Sequence, residues 1–210
     1  MLNEAIKNIP LPSRMARRPV DRRGFPVPWF VAKINGEWDF RAIRPDGMVE
    51  AYRKRLCWLC GEKLGRFMAF VIGPMCAINR VSSEPPSHRE CAIYAVRACP
   101  FLTKPNMRRN EKDLPGGNVA GIHLDHNPGV SLIWICRGYR PIKTITGTLF
   151  EIGPPNETHF YSKGRIATRV EILDAIDKGL PYLREMASIE GAEKELDEHI
   201  ERAMKLVPAA

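Results

Sequence analysis

Leu56-Cys57-Trp58-Leu59-Cys60-Gly61, answered downstream by Ser87-His88-Arg89-Glu90-Cys91, is the pair of stretches on which the fold turns. Each holds two soft ligands at i and i+3, a spacing of about one helical turn. Gly61 permits the tight turn that aims both thiols of the first stretch at one point. Two such pairs supply the four groups of a tetrahedral zinc site, with Cys57 and Cys60 from a knuckle and His88 and Cys91 from the start of a helix. A closed set of four leaves no position for substrate or activated water, so the Zn2+ site is expected to be structural. The competing reading is a buried cysteine pair and a chance His-x-x-Cys. Cys76, Cys99 and Cys136 are expected in the core as small hydrophobes, although Cys76 or Cys99 could replace a proposed ligand, and an all-cysteine iron–sulfur cluster could then form.

Outward from the knuckle, the N-terminal side carries a hairpin signal. Residues 29–34 and 37–43 flank Asn35-Gly36, the dipeptide that takes the positive φ values of a type I′ turn. Asp46 is placed to cap a short helix from about Met48 to Leu56. On the C-terminal side, residues 67–72 read as a strand turning at Gly73-Pro74, with a return strand over 75–81. Ser87-x-x-Glu90 reads as a capping box for a helix over 88–98. Residues 99–129 look loop-like. Strands are expected at 130–136, 146–152 and 158–161. Thr168-x-x-Glu171 is a second capping box, opening a helix that should end at Gly179, before a further helix from Pro181 to about Leu206 with a break at Gly191.

The chain has 210 residues and a formal charge of +8, unevenly spread. Through Lys112 there are 21 basic against 10 acidic residues, a net of +11, while the remainder carries 11 against 14. A basic half that also holds the ligand array suits a polyanion such as nucleic acid; a solvated surface is the bland alternative. Arg53, Lys54, Arg108, Arg109 and Lys112 are the expected phosphate contacts, with Trp58, Phe101 and Tyr94 nearby as aromatics that could stack on bases or fill the core. Residues 1–28, rich in Pro and Arg, are expected as a basic flexible arm, mobile or ordered only by docking. No apolar run is long enough to span a bilayer and no secretory signal is visible, so a reducing, cytoplasmic setting without membrane partners is expected.

A second candidate is His123-Leu124-Asp125-His126-Asn127. Asp125 and His126 resemble the Asp-His pair of His-Asn-His nucleases, in which the histidine activates water and a divalent ion holds the phosphate. In those nucleases the pair falls between the two zinc-ligand pairs; here it follows both. His159 could join His123 and His126 around a metal.

The segments Leu56–Gly61, 69–102 and 164–169 (GRIATR) resemble a group of uncharacterised bacterial and bacteriophage proteins, which implies a genomic origin and no mechanism. The order of knuckle, hairpin and helix with two ligands at its start resembles a treble-clef zinc module, a likeness compatible with many functions.

The expected architecture is α+β: an N-terminal β-hairpin, a central treble-clef-like zinc module over 56–102, a small antiparallel sheet and a helical C-terminal segment over 168–206. Residues 29–210 should pack as one domain. The leading functional expectation is a non-enzymatic zinc protein that binds nucleic acid or acts in regulation. A metal-dependent nuclease using Asp125 and His126 is the enzymatic alternative. An adaptor touching a host protein through its acidic C-terminal helices is the third.

Overall fold

Six consecutive buried residues, Ser131–Cys136, form the strand around which the other elements are arranged. The computed structural model describes residues 1–105, 107–108, 127–145 and 147–209. In chain order the elements are α1 (Ser13–Ala16), β1 (Val31–Ile34), β2 (Glu37–Ile43), α2 (Gly47–Lys54), β3 (Met68–Ile72), α3 (Pro74–Asn79), β4 (Val81–Ser82) and α4 (Arg89–Ala98). Then follow α5 (Pro100–Thr103), β5 (Ser131–Cys136), β6 (Tyr139–Thr144), β7 (Gly147–Ile152), β8 (Glu157–Ser162), β9 (Arg165–Ile166), α6 (Arg169–Glu190) and α7 (Glu193–Met204). The fold is mixed α+β, with an N-terminal hairpin, a Cys/His cluster in mid-chain, small antiparallel sheets and C-terminal helices.

Among the described residues the strands form a ribbon β1-β2, a four-stranded sheet β3-β5-β8-β9 and a three-stranded sheet β4-β7-β6, all antiparallel. Successive side chains of a strand point to opposite faces. On one face of the four-stranded sheet Ala69, Ile133 and Ile135 pack with Ala92 and Val96 of α4. On the other, Phe70, Ile72, Leu132 and Trp134 join Phe150, Ile152, Ile172 and Ile176 in the main core. Both faces of β5 are therefore covered, which explains a strand with no polar alternation.

The hairpin forms as its turn signal demands: Asn35 and Gly36 have φ of 51° and 84°. Other local expectations yield to packing. Residues 75–81, expected as a return strand, are mostly the helix α3, with Pro74 in its first turn, and only β4 is extended. The helix expected to stop at Gly179 runs on to Glu190. Ile172, Ala175, Ile176, Gly179, Leu183 and Ala187 make one continuous buried stripe, and Met75 fills the notch at Gly179. Pro181 is exposed, on the outer side of that stripe. Tertiary burial here outweighs the helix-breaking tendencies of both residues. Gly191 then ends α6 in the left-handed conformation.

Asp46 and Ser87 make no side-chain cap bond: Asp46 is itself left-handed, and the N-cap of α4 is His88. Strand β6 has no counterpart among the expected strands. It is the outer strand of its sheet, where a proline's missing N–H does no harm.

Residues 1–28 are laid against the rest of the chain rather than extended into solvent. Ile6, Met15 and Val27 are buried, and Arg14 and Arg17 both pair with Glu62. The arginines that looked like a free basic tail are in part consumed by these contacts.

The second capping box is present in full. Thr168 Oγ1 accepts from the Glu171 N–H, and the Glu171 carboxylate accepts from the Thr168 N–H. The Arg165 guanidinium, then the Thr168 backbone N–H, hold the Glu171 carboxyl down at about 2. A carboxylate depressed on folding contributes stability that is complete above its unfolded value and drains away as pH falls toward the folded one. Thr168→Ala is expected to cost about 1 kcal/mol at neutral pH. Glu171→Gln should be destabilised relative to wild type at pH 7, with the gap closing as pH is lowered from about 4.5 to about 2. Thermal unfolding followed by circular dichroism across this range checks both.

Candidate metal centre

The knuckle is a miniature hairpin built by backbone bonds. The Cys57 N–H donates to the Glu62 carbonyl at 2.8 Å, Leu64 N–H to Arg55 O at 2.8 Å, and Gly61 N–H to Cys57 O at 2.8 Å. Gly61 adopts φ +81°, and a Cβ there would lie 2.3 Å from Trp29 Cδ1. Glycine is thus required both by the turn and by the ring pressed against it. Trp29 is fixed in place by its N–H donating to Leu59 O at 2.7 Å. Phe30 stacks on Trp58 with centroids 4.8 Å apart, so the base of the hairpin β1-β2 is a lid over the knuckle.

The second half of the ligand set arrives by a different route. Ser87 exchanges two backbone hydrogen bonds with Ala69 at the start of β3, at 2.7 and 2.8 Å, and Trp58 N–H donates to Pro86 O at 3.0 Å. These bonds deliver His88 and the first turn of α4 to the knuckle. Glu90, freed from the expected capping box, pairs instead with Arg14 at 3.1 Å.

Cys57, Cys60, His88 and Cys91 are all buried, and their ligand atoms lie within 4.8 Å of one another. Four ligands about 2.0–2.3 Å from a tetrahedral zinc sit roughly 3.3–3.8 Å apart, so the cage is only slightly wider than a filled one. Cys57 Sγ accepts from the Cys60 N–H at 3.4 Å and from the His88 N–H at 3.3 Å. His88 Nε2 lies 2.9 Å from the Lys63 carbonyl, which can only accept, so Nε2 carries the proton. Nδ1, 3.3 Å from Cys60 Sγ, is then the atom turned to the cluster. A ligating histidine held through its other ring nitrogen has the arrangement that fixes tautomer and orientation in metal sites.

The electrostatics have the same sense. Burial would raise the Cys57 thiol, but hydrogen bonds from Cys60, Cys91 and His88 outweigh it and hold Cys57 well below the ordinary thiol range. Cys91 is driven upward by the Cys57 and Cys60 sulfurs and by burial. The sulfurs of Cys57 and then Cys60 raise the His88 imidazole to about 10. Three buried thiols and an imidazole at this range cannot share protons evenly; a divalent cation in place of the protons removes the conflict. Burial lowers the half-buried Arg18 guanidinium and the nearby Cys60 sulfur opposes that shift, an electrostatic neighbour with no signature in the sequence.

The other sequence candidates are dispersed. Cys76, Cys99 and Cys136 are not part of the cluster; burial raises all three thiols. Trp58 is buried under Phe30 and Tyr94 against Ile6 and Ala98, so neither ring is open to a base. Arg53 and Arg108 are exposed, while Lys54 pairs with Glu50 one turn back at 2.9 Å. Arg109, Lys112, His123, Asp125 and His126 lie outside the described residues. His159 is paired with Glu157 at 3.2 Å on β8. Comparison with family models, curated proteins and solved structures yields no match to this chain. No helix among the described residues is long and apolar enough to cross a membrane.

Gly61→Ala must force a left-handed alanine against the Trp29 ring. A loss of at least about 2 kcal/mol is expected from strain and overpacking together. Gly65→Ala, where an added Cβ meets open space, is the control. Denaturant unfolding of both variants measures the difference, and equal losses would contradict the close approach at Gly61.

Proposed function

We propose that Cys57, Cys60, His88 and Cys91 bind one zinc ion as a closed structural centre, and that this zinc-stabilised protein binds nucleic acid without catalysing a reaction. The observation that carries the first part is the convergence of four buried ligand atoms from two distant stretches within 4.8 Å. Three thiolates and one imidazole are the donor set of a structural zinc site, and softness of this kind disfavours magnesium or calcium. The knuckle and the first turn of α4 support a treble-clef-like module, in which β3, α3 and β4 stand where a simple hairpin was expected. With all four positions taken by protein, the ion has no open place for substrate, and its contribution is to folding.

The uneven charge supports the second part. The half of the chain that contains the ligand set has a net charge of +11. A zinc centre that fixes a basic surface gives a rigid array for phosphate contacts, whose binding is driven by counterion release. The same surface would act without base-specific motifs, through shape and charge.

Purified protein should contain about one zinc per chain by elemental analysis, because binding energies of about 10–16 kcal/mol for such sites rival the whole stability of a domain. Cys60→Ser and Cys91→Ser should lose the metal and give cooperative unfolding at much lower temperature. Cys99→Ser should retain it. Metal-free protein with an unchanged melting temperature after chelation would overturn the structural role.

A further inference from the structure

We infer that the cleft between the end of α2 and the β5–β6 turn binds a single-stranded polynucleotide, phosphates against its arginines and bases against flanking aromatics. This rests on the nucleic-acid reading above and gives it a location. Two adjoining clefts, of about 490 and 300 Å3, share Arg137, Gly138 and Tyr139 as a common wall. The larger also contains Arg80 and Arg140, and the smaller Arg53 and Arg55. Against these five guanidiniums the lining offers, among the described residues, one carboxylate, Glu151, already paired with Arg140 at 2.5 Å. Guanidiniums gathered along a continuous groove match phosphate oxygens better than any neutral ligand, with Arg80 and Arg140 offering the N–H groups that Ile152 O and Glu151 leave free.

The groove is built rather than incidental. Arg80 Nε and Nη2 both donate to Ile152 O, at 3.2 and 3.0 Å, which pins that guanidinium at the wall. Gly138 and Gly153 form the floor: the Gly153 N–H donates to Gly138 O at 2.9 Å, and a Cβ on Gly153 would lie 2.6 Å from that oxygen. Trp134 Nε1 donates to Gly153 O at 2.9 Å and locks the floor to the core strand. Such close backbone packing lets an extended chain lie low between the arginines.

Aromatic faces border the same groove. Phe67 is 46% exposed and lies beneath the Arg137 guanidinium at 5.0 Å. Tyr52, 39% exposed, stands edge-on to Tyr139 in the smaller cleft. Part-exposed rings interleaved with arginines are the pattern by which single strands are held, a base stacking on the free face of each ring. A duplex keeps its bases stacked inside and gains nothing from these rings, so the aromatics favour a single strand.

The test is fluorescence anisotropy on the full zinc-loaded chain with a labelled mixed-sequence oligonucleotide of about 20 nucleotides, single-stranded or duplex, between about 50 and 200 mM salt. The triple variant Arg53→Gln, Arg137→Gln, Arg140→Gln should weaken single-strand binding at least about ten-fold and flatten the slope of log K against log salt by about 2. A variant losing as many charges on α6 and at the C-cap of α7, Lys178→Gln, Arg184→Gln, Lys205→Gln, should change affinity less than about two-fold. Phe67→Ala and Tyr52→Ala should each weaken the single strand several-fold and the duplex little. Melting temperatures near wild type would show that these exposed substitutions leave the fold intact. Unchanged binding by the groove triple, with loss in the helix triple, overturns the groove but leaves nucleic-acid binding standing. Duplex binding as tight as single-strand binding, or equal binding of polyglutamate, overturns the ligand assigned here. Wild-type protein that binds no oligonucleotide at the lowest salt overturns the functional reading itself.

Discussion

The convergence of Cys57, Cys60, His88 and Cys91 is the constraint from which the arrangement of the middle of the chain follows. It ties the knuckle to the first turn of α4, and α4 in turn lies on the sheet through Ala92 and Val96. The neighbouring backbone bonds, Ser87 with Ala69 and Trp58 with Pro86, stitch the same two stretches together. Those bonds alone would bring three thiols and an imidazole into a buried space, a costly set without a cation. Three thiolates around a divalent ion leave one negative charge in excess. Arg18, whose Nε donates to the Val27 carbonyl at 3.0 Å, lies in the field of Cys60, so it would offset that charge from the N-terminal segment were the proposed ion bound. The docking of residues 1–28 is therefore electrostatic as well as apolar, with Arg14 and Arg17 closing the rim through Glu62.

From the knuckle the constraint passes into α2. Leu56 N–H donates back to Ala51 O at 2.9 Å, and Arg55 caps the helix in a left-handed conformation, with φ 52°. The last turn of α2 is thus joined to Cys57 by two residues with little conformational freedom. Arg53 and Arg55 sit at that joint. The proposed metal ion, by fixing Cys57, would fix the direction in which this end of the cleft points.

The parts of this fold that were legible in the sequence are those where one residue type has one physical job. Asn35-Gly36 makes its turn with positive φ, Thr168 and Glu171 satisfy each other's backbone donors, and two Cys/His pairs at one-turn spacing can converge on one point able to hold a cation. The illegible parts are those where packing overrode local chemistry. Pro181 and Gly179 read as a stop, yet a buried stripe carries α6 through both. Ser87 reads as a cap, yet its backbone is taken by Ala69 and the N-cap falls on His88, whose ring turns inward. Residues 75–81 have the apolar content of a strand, yet Met75 is needed as the plug at Gly179 and the segment coils to present it. No local signal encodes a partner that lies a hundred residues away. The ligand set was readable because its spacing is short within each pair; the supporting Lys63 carbonyl and Arg18 were not, since neither has a residue-type signature.

The groove joins two walls with different origins. Arg53 and Arg55 are positioned through the knuckle and hence through the ligand cluster. Arg80, Arg137 and Arg140 are positioned by the core: Arg80 by Ile152 O, and the Arg137–Arg140 turn by the Gly138–Gly153 contact that Trp134 anchors. Like charges do not gather into one cleft unaided, since their mutual repulsion in a partly desolvated space opposes it. Here the repulsion is borne by backbone geometry on one side and by the ligand cluster on the other, with a single internal carboxylate to relieve it. The nucleic-acid binding proposed above would set evenly spaced phosphates within reach of guanidiniums that this geometry already holds together against their own repulsion.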